Sequence, residues 1–562
     1  MRKTRHITTL GAAATVLALL LTGCGGSDDK DTSDATTSGG ATATEDTGGE
    51  TGGDTGGDTG GDTGGETGGD TGGDTAAGEA QYGGDLVMVR EGDATTLLPT
   101  GSPLNRDIWI DELIYEPLLA PSADGQSLEP LLAESYESND DATVWTFHLR
   151  EGLTFHDGTP VTAADAVFSI ETASDPETPF GFVNDAIVSV EATDDLTVVI
   201  TTAQPWSPLP ADAAIFSNGI IPKDYGGKTA EEFGDHPIGT GPFMFESWDK
   251  GNELKLVRNP NYWQEGLPYL DSVTFRTVPE ENNRALQLQS GDAHINEFPA
   301  YSSLDGLTAS SGLTATAFNS SRTDFLAYNV TRSPTDDVHL RRALGYAIDR
   351  EALNDAVLYG YGTPGTAYIN PALWGHYAEL DAITYDVEKA KEELAQSSMP
   401  DGGTLSVIVE SGSPNEMTVA QVLQENFAAI GIDLQIEQVD GGALYEVLGT
   451  KNYDMVILYC TTDIIDPDQM IRFIGDVDGG YNAMYSWYHS DELVALADEA
   501  ATINDQAQRK ALYDQIQTIF NDDQPVSTLY YSPAVYSYTT KLHNFSVLPT
   551  GNYMLTEAWL EQ

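Results

Sequence analysis

Leu405-Ser406-Val407-Ile408-Val409 opens the stretch that decides the fold. It is a short apolar run rich in β-branched residues, the composition of a buried strand. A helical pattern follows from about Met417 to Ile430, and Gly431 stops it. Leu434 to Val439 returns as a strand, and Asp454 to Tyr459 is another apolar run. Strand, helix and strand at this spacing predict a parallel βαβ unit and hence α/β layers.

Working outward, two amphipathic helices are expected near the C-terminus, over about Asp491–Ala501 and Asp505–Phe520. Leu340, Leu344, Ala347 and Ile348 mark one face of a helix after Asp337. Val144 to His156 reads as a hairpin: Trp145, Phe147 and Leu149 alternate, Glu151-Gly152 turns, and Leu153 and Phe155 alternate back. Thr162 then caps a helix through Ile170, with Asp165 as its capping partner. Gly83-Gly84-Asp85-Leu86-Val87-Met88-Val89 is the first buried strand of a folded body that begins near Tyr82.

The 562 residues exceed the ~250–300 at which one hydrophobic core stops growing, so two or three subdomains are expected. The net charge of −62 excludes nucleic acid, whose phosphates demand Lys and Arg, and repels anionic lipid headgroups. The first residues read as an export signal, with Arg2, Lys3 and Arg5 before an apolar stretch from Ile7 to Leu21. That stretch ends in Leu21-Thr22-Gly23-Cys24, which resembles the bacterial lipobox. The resemblance implies a signal peptide over 1–23 and a lipid on Cys24 as the membrane anchor. Residues 24–81 are then an acidic, Gly-rich tether. Within it an Asp/Glu-Thr-Gly-Gly unit repeats from Asp46, with no apolar residue to offset the entropy of ordering.

No catalytic motif is found. Tyr225-Gly226-Gly227-Lys228-Thr229 has the tail of a phosphate loop, but its required first Gly falls on Pro222. The nine histidines are scattered. His148 and His156 fall on adjacent strands of the expected hairpin and are read as structural rather than as a metal pair. The chemistry expected is reversible binding, with no cofactor and no metal.

Leu128-Glu129-Pro130-Leu131-Leu132-Ala133-Glu134-Ser135-Tyr136, the Trp145–Gly152 segment, and Phe155-His156-Asp157-Gly158-Thr159-Pro160 together resemble family 5 of the extracellular solute-binding proteins. Further blocks follow in family order: His236-Pro237-Ile238-Gly239-Thr240-Gly241-Pro242-Phe243, then Arg258-Asn259-Pro260-Asn261-Tyr262-Trp263. Arg341-Arg342-Ala343-Leu344 through Arg350 and Tyr453-Asp454 with Asp466-Pro467 complete them. Taken on their own, Gly239 and Gly241 are read as allowing positive φ in a turn before Pro242.

The resemblance implies a two-lobed periplasmic-binding-protein (Venus flytrap) fold of α/β class with an extra inserted small domain. Lobe I takes 82–120, 218–320 and 538–562, the inserted domain 121–217, and lobe II 321–537. It also implies a monomer on the outer face of the cytoplasmic membrane, handing a small-molecule or peptide ligand to ABC permease subunits. Asp463 stands where peptide-binding members grip the α-ammonium, three residues before Asp466-Pro467. Cys460 stands where relatives carry Trp, a change that predicts a roomier pocket. Tyr459, Glu91 and Trp374 complete the expected ligand contacts. Dipeptide-binding members hold the ligand carboxylate with an Arg of the second lobe. Between Arg350 and Arg472 this chain has only Lys389, Lys391 and Lys451, which favours oligopeptides over a strict dipeptide site. The alternatives are an oligosaccharide (with Trp206, Trp374, Trp487 and Tyr488 as stacking surfaces), an opine-like compound, a metal chelate, or a ligand-sensing receptor.

Overall fold

The βαβ unit forms as its pattern predicts. In the computed structural model, which describes residues 79–475 and 483–562, Gly403–Glu410 and Ile432–Val439 pair in parallel over their whole length. The helix Pro414–Ala428 connects them, with Pro414 in its first turn and Ser413 Oγ accepting from Glu416 N–H. Gly431 follows at φ +85°, where a side chain would be strained. The third run, Met455–Cys460, is parallel to Gly403–Glu410 through Val407–Met455 and Ile408–Val456.

These strands belong to a six-stranded sheet completed by Thr323–Tyr328, Val526–Tyr531 and Thr363–Pro364. Both faces are covered. Phe325, Ala327, Ile408 and Val456 pack on one side, and Leu326, Tyr328, Val407 and Met455 on the other. Asp337 caps the helix Val338–Ala347, whose Leu340, Leu344 and Ala347 are fully buried in the second of these cores. Asp491–Ala501 and Gln506–Asp523 are the two late helices, and the second starts from Asp505 as its cap.

A second, seven-stranded sheet centres on Asp85–Arg90, parallel to Ser272–Thr277 and to Ile295–Glu297. The chain passes between the two sheets twice. It leaves the seven-stranded sheet after Leu313–Phe318 for Thr323–Tyr328, and returns from Val526–Tyr531 to Ala534–Thr539. The return strand thus starts at Ala534, ahead of the boundary expected at 537/538. The sheets are the cores of two α/β lobes.

The inserted region carries its own four-stranded antiparallel sheet and apolar core. Its strand Val144–Leu149 buries Trp145, Phe147 and Leu149 on one face. The expected hairpin return does not form. Leu153 and Phe155 are buried, but the 151–160 segment makes a single bridge, Thr154–Pro160, because Gly158 and Pro160 turn it away. Val144–Leu149 pairs instead with Ala133–Ser138 and Thr197–Thr202. The Thr162–Asp165 cap is present: Asp165 Oδ2 accepts from Thr162 N–H at 2.8 Å and from its hydroxyl at 2.7 Å. His156 is structural. Its Nδ1 accepts from Gly239 N–H and its Nε2–H donates to the Gly241 carbonyl, while burial lowers its pKa to about 4.

Gly239 and Gly241 are not in the left-handed region, and their reason is proximity. A Cβ on Gly239 would lie 1.9 Å from the Ile114 carbonyl oxygen, and one on Gly241 2.5 Å from that of Leu113. The segment lies directly on the end of the helix Asn105–Ile114, and Gly241 N–H donates to the Ile114 carbonyl at 2.9 Å. Gly239→Ala should therefore destabilise the protein by about 1–3 kcal/mol or more through overpacking. Urea unfolding checks this against Gly306→Ala, where a Cβ meets nothing within 4 Å and no loss is expected.

Candidate ligand-binding cleft

The loop after Met455–Cys460 leaves from the carboxyl edge of the parallel strands, the edge where open α/β sheets bind ligands. It is pinned at both ends. Thr462 is fully buried; its N–H donates to Ser321 Oγ at 3.1 Å, and Ser321 Oγ–H donates to the Thr462 carbonyl at 3.2 Å. Asp466 receives both terminal nitrogens of Arg509 at 2.7 Å each, with both side chains buried. Asp466 Oδ1 also accepts from Asp468 N–H, starting the helix Pro467–Gly475. Gly375 packs so closely on Pro467 that a Cβ there would lie 2.2 Å from Pro467 Cγ.

Between the two pins stands Asp463. Its carboxylate has no hydrogen bond or ion pair among the described residues. It keeps a partial opening to solvent, yet the protein packed around it pushes its pKa up to about 7. Rigid support with an unused charged group at its centre is the arrangement of a ligand anchor.

The other expected contacts scatter. Cys460 faces the lobe core, with Sγ 3.7 Å from Met470 Sδ, and burial, then the Asp463 charge, pushes its thiol up to about 12. Neither Cys460 nor Asp463 lines the cavity described below. Tyr459, the preceding residue, points to the opposite face of the sheet as strand alternation requires. It is exposed, and the Arg322 guanidinium sits 3.7 Å over its ring. Trp374 packs behind the Asp466 pin, its ring 5.7 Å from Tyr513 and 5.4 Å from the Arg509 guanidinium. Glu91 is exposed just beyond the first strand.

Apart from Trp206, named above as a stacking surface, the residues gathered near this loop were not expected. A cavity of about 500 Å³ lies between the inserted region, through Phe182, Trp206 and Asp212, and the helix Pro467–Gly475, through Gln469, Arg472 and Phe473. Ile464, the neighbour of Asp463, also lines it. Trp206 Nε1–H donates to Asp212 Oδ2 at 2.7 Å, and the Arg472 guanidinium, bonded to Asp468, lies 5.1 Å over the Trp206 ring. The inserted region reaches lobe II directly: Ser207 N–H donates to the Ala501 carbonyl and Gln126 Nε2–H to that of Ala372. From lobe I, the helix Asn105–Ile114 brings Glu112 within electrostatic reach of Asp463. At the crossing between lobes, Arg322 holds Asp324 at 2.6 Å. Among the described residues no group of three or more His, Cys, Asp or Glu is placed to hold a metal ion.

The family model for the bacterial extracellular solute-binding proteins, family 5 middle, matches residues 127–482. The chain belongs to family 5. A glutathione-binding protein, GsiB of Escherichia coli O1:K1, is 30% identical over 452 residues, 77% of this chain and 86% of its own. The oligopeptide-binding protein AppA of Bacillus subtilis, solved with a nonapeptide, is 27% identical at a TM-score of 0.73 and covers 86% of this chain and 100% of its own. DppA of Helicobacter pylori, solved with the peptide STSA, is 26% identical at a TM-score of 0.74 over 86% of this chain and 99% of its own. As a family 5 protein the chain is an extracytoplasmic solute-binding component of an ABC importer, a carrier and not an enzyme.

Proposed function

We propose that this carrier takes up oligopeptides, with Asp463 as the partner of the peptide α-ammonium. The observation that carries the reading is the Asp463 carboxylate, unpaired on a loop held at both ends. The cavity of about 500 Å³ is lined by the neighbouring Ile464, not by Asp463 itself, and lies next along the same loop. Burying a carboxylate is costly without a cation, and a peptide amino terminus supplies both charge and donors. Three of the four aromatic surfaces named for a sugar site are already used, while Trp206 lines the cavity with the Arg472 guanidinium 5.1 Å over its ring. Lys451 Nζ lies 3.8 Å over the Trp487 ring, Trp374 packs on Tyr513, and Tyr488 is buried with its hydroxyl on Asp523. The test is native mass spectrometry of protein purified without refolding, followed by titration with free-amine and N-acetylated forms of the same peptide. A retained peptide, and binding of the free amine alone, support the reading; equal binding of both forms overturns it.

The same proposal places the carrier on the membrane through a lipid on Cys24, ahead of the Asp/Glu-Thr-Gly-Gly tether; both lie outside the described residues. In cells fed labelled palmitate, the wild-type chain should take up label and Cys24→Ser should not. An unlabelled wild-type chain overturns the anchor.

A further inference from the structure

Glu112 extends the cleft beyond Asp463. Its Oε1 accepts from Asn552 Nδ2–H, while its Oε2 is buried with no partner. Burial, with the Asp463 charge as second cause, pushes its pKa well above the usual carboxylate range. The two carboxylates come from different lobes, and backbone hydrogen bonds tie together the segments that carry them. Asn552 belongs to the turn whose Pro549 carbonyl accepts from Ser321 N–H, and Ser321 is the residue that pins Thr462 beside Asp463. Ile464 packs into the same apolar cluster as Trp109 and Leu113 of the Glu112 helix. The charged group acting on Glu112 is the Asp463 carboxylate, and Glu112 in turn raises Asp111 on its own helix, which Asp107 also raises.

A second observation points to a ligand here. Trp109 lies one turn before Glu112 on the same face, is 6% exposed, and its indole N–H has no partner. That edge rests on Gly551, next to the Asn552 that holds Glu112. Trp109 Nε1–H and Glu112 Oε2 are thus a buried donor and a buried acceptor, both without a partner, one turn apart on the same helix.

We infer that Glu112 and Asp463 close on one head group from opposite lobes, so that the cleft selects ligands bearing two neighbouring positive charges. For a peptide this is an amino-terminal residue with a basic side chain. One ammonium neutralises one carboxylate and leaves the other buried and unpaired; a second ammonium removes that cost. This selectivity rests on the peptide-carrier reading for its natural ligand, but not for its charge rule.

The experiment compares lysyl-alanyl-alanine with norleucyl-alanyl-alanine, which differ in the second charge, by calorimetric titration. The wild-type protein should prefer the lysyl peptide at least tenfold, a comparison that needs no variant. Glu112→Gln keeps the volume and the Asn552 bond, and should abolish the preference by weakening the lysyl peptide and by removing the unpaired carboxylate that penalises the norleucyl peptide. Glu112→Asp should retain part of the preference. A parallel arm reads the melting temperature with 1,4-diaminobutane against butylamine. Equal affinity for the two peptides overturns the inference and leaves the peptide reading standing. If no peptide binds but the diamine stabilises wild type more than Glu112→Gln, the charge rule stands and the peptide reading falls. If neither pair is distinguished, the inference is overturned.

Discussion

Asp463→Asn is expected to weaken the binding of a free-amine peptide by about two to four decades at pH 8. Removing the carboxylate leaves the ligand ammonium buried without its counter-charge, a loss of about 3–5 kcal/mol, and each decade of affinity is about 1.4 kcal/mol. The amide keeps the shape, so the loss isolates the charge. The pH profile follows from a carboxyl whose pKa is about 7. Below it the empty cleft must lose a proton before it can hold an ammonium. Wild-type affinity should fall about tenfold per unit as pH drops below 7, and the Asn variant should be flat across that range. Stability moves the other way. The folded value of about 7 lies above the ordinary 3.8, so between roughly pH 4 and 7 the folded state holds a proton that the unfolded chain has released. Stability of the ligand-free protein therefore falls as pH rises through that window. At pH 8 the ligand-free Asp463→Asn protein should melt above wild type while binding far less tightly. Calorimetry and a thermal scan on the same two samples decide it. Unchanged affinity would make Asp463 a surface carboxylate.

The reach of the sequence can be seen residue by residue. The βαβ stretch is legible because strand and helix there each bury a periodic face, and Asp337, Thr162 and Asp505 mark other helix starts chemically, whereas the helix capped by Ser413 starts at Pro414, ahead of the expected Met417. The helix Asn105–Ile114 is not legible in that way. Ile108, Trp109, Ile110, Leu113 and Ile114 are all buried, so no polar stripe sets a period, and Glu112 passes as one acid among many. The only signal it leaves is the set Asp107, Asp111 and Glu112 inside an apolar run. Asp463 stands out through its place before Asp466-Pro467, but its electrostatic influence on Glu112 is long-range in sequence and local pattern does not encode it. Tyr459 and Cys460 show the converse. Strand alternation alone sends two adjacent residues to opposite faces, so they cannot line one wall. Gly239 and Gly241 show a conserved-looking turn motif set by contact with a distant helix end rather than by dihedral angle.

Asp466→Ala is expected to cost about 3–5 kcal/mol of stability, because it strands the buried Arg509 guanidinium. Asp466 and Arg509 are 5% and 6% exposed, and Arg509 Nη2 is left with only the Tyr513 hydroxyl, 2.7 Å away. Its Nε already lacks a partner, and the nearby Asp468 charge and Trp374 ring replace neither of the two lost hydrogen bonds. The double replacement Asp466→Ala/Arg509→Met removes the charge together with its counter-charge and should recover most of the loss, as buried pairs replaced by apolar side chains do. Ligand affinity should not recover with it. Asp466 is one of the two pins of the Asp463 loop, and the Ser321–Thr462 pin alone leaves the carboxylate free to move from its ligand-binding position. The pair thus carries two separable roles, one in folding and one in holding the anchor still. Urea unfolding reads the first and calorimetric titration the second. A single variant within about 1 kcal/mol of wild type would show that the pair adds little to the fold. A double variant with full affinity would show that the loop holds its shape without it.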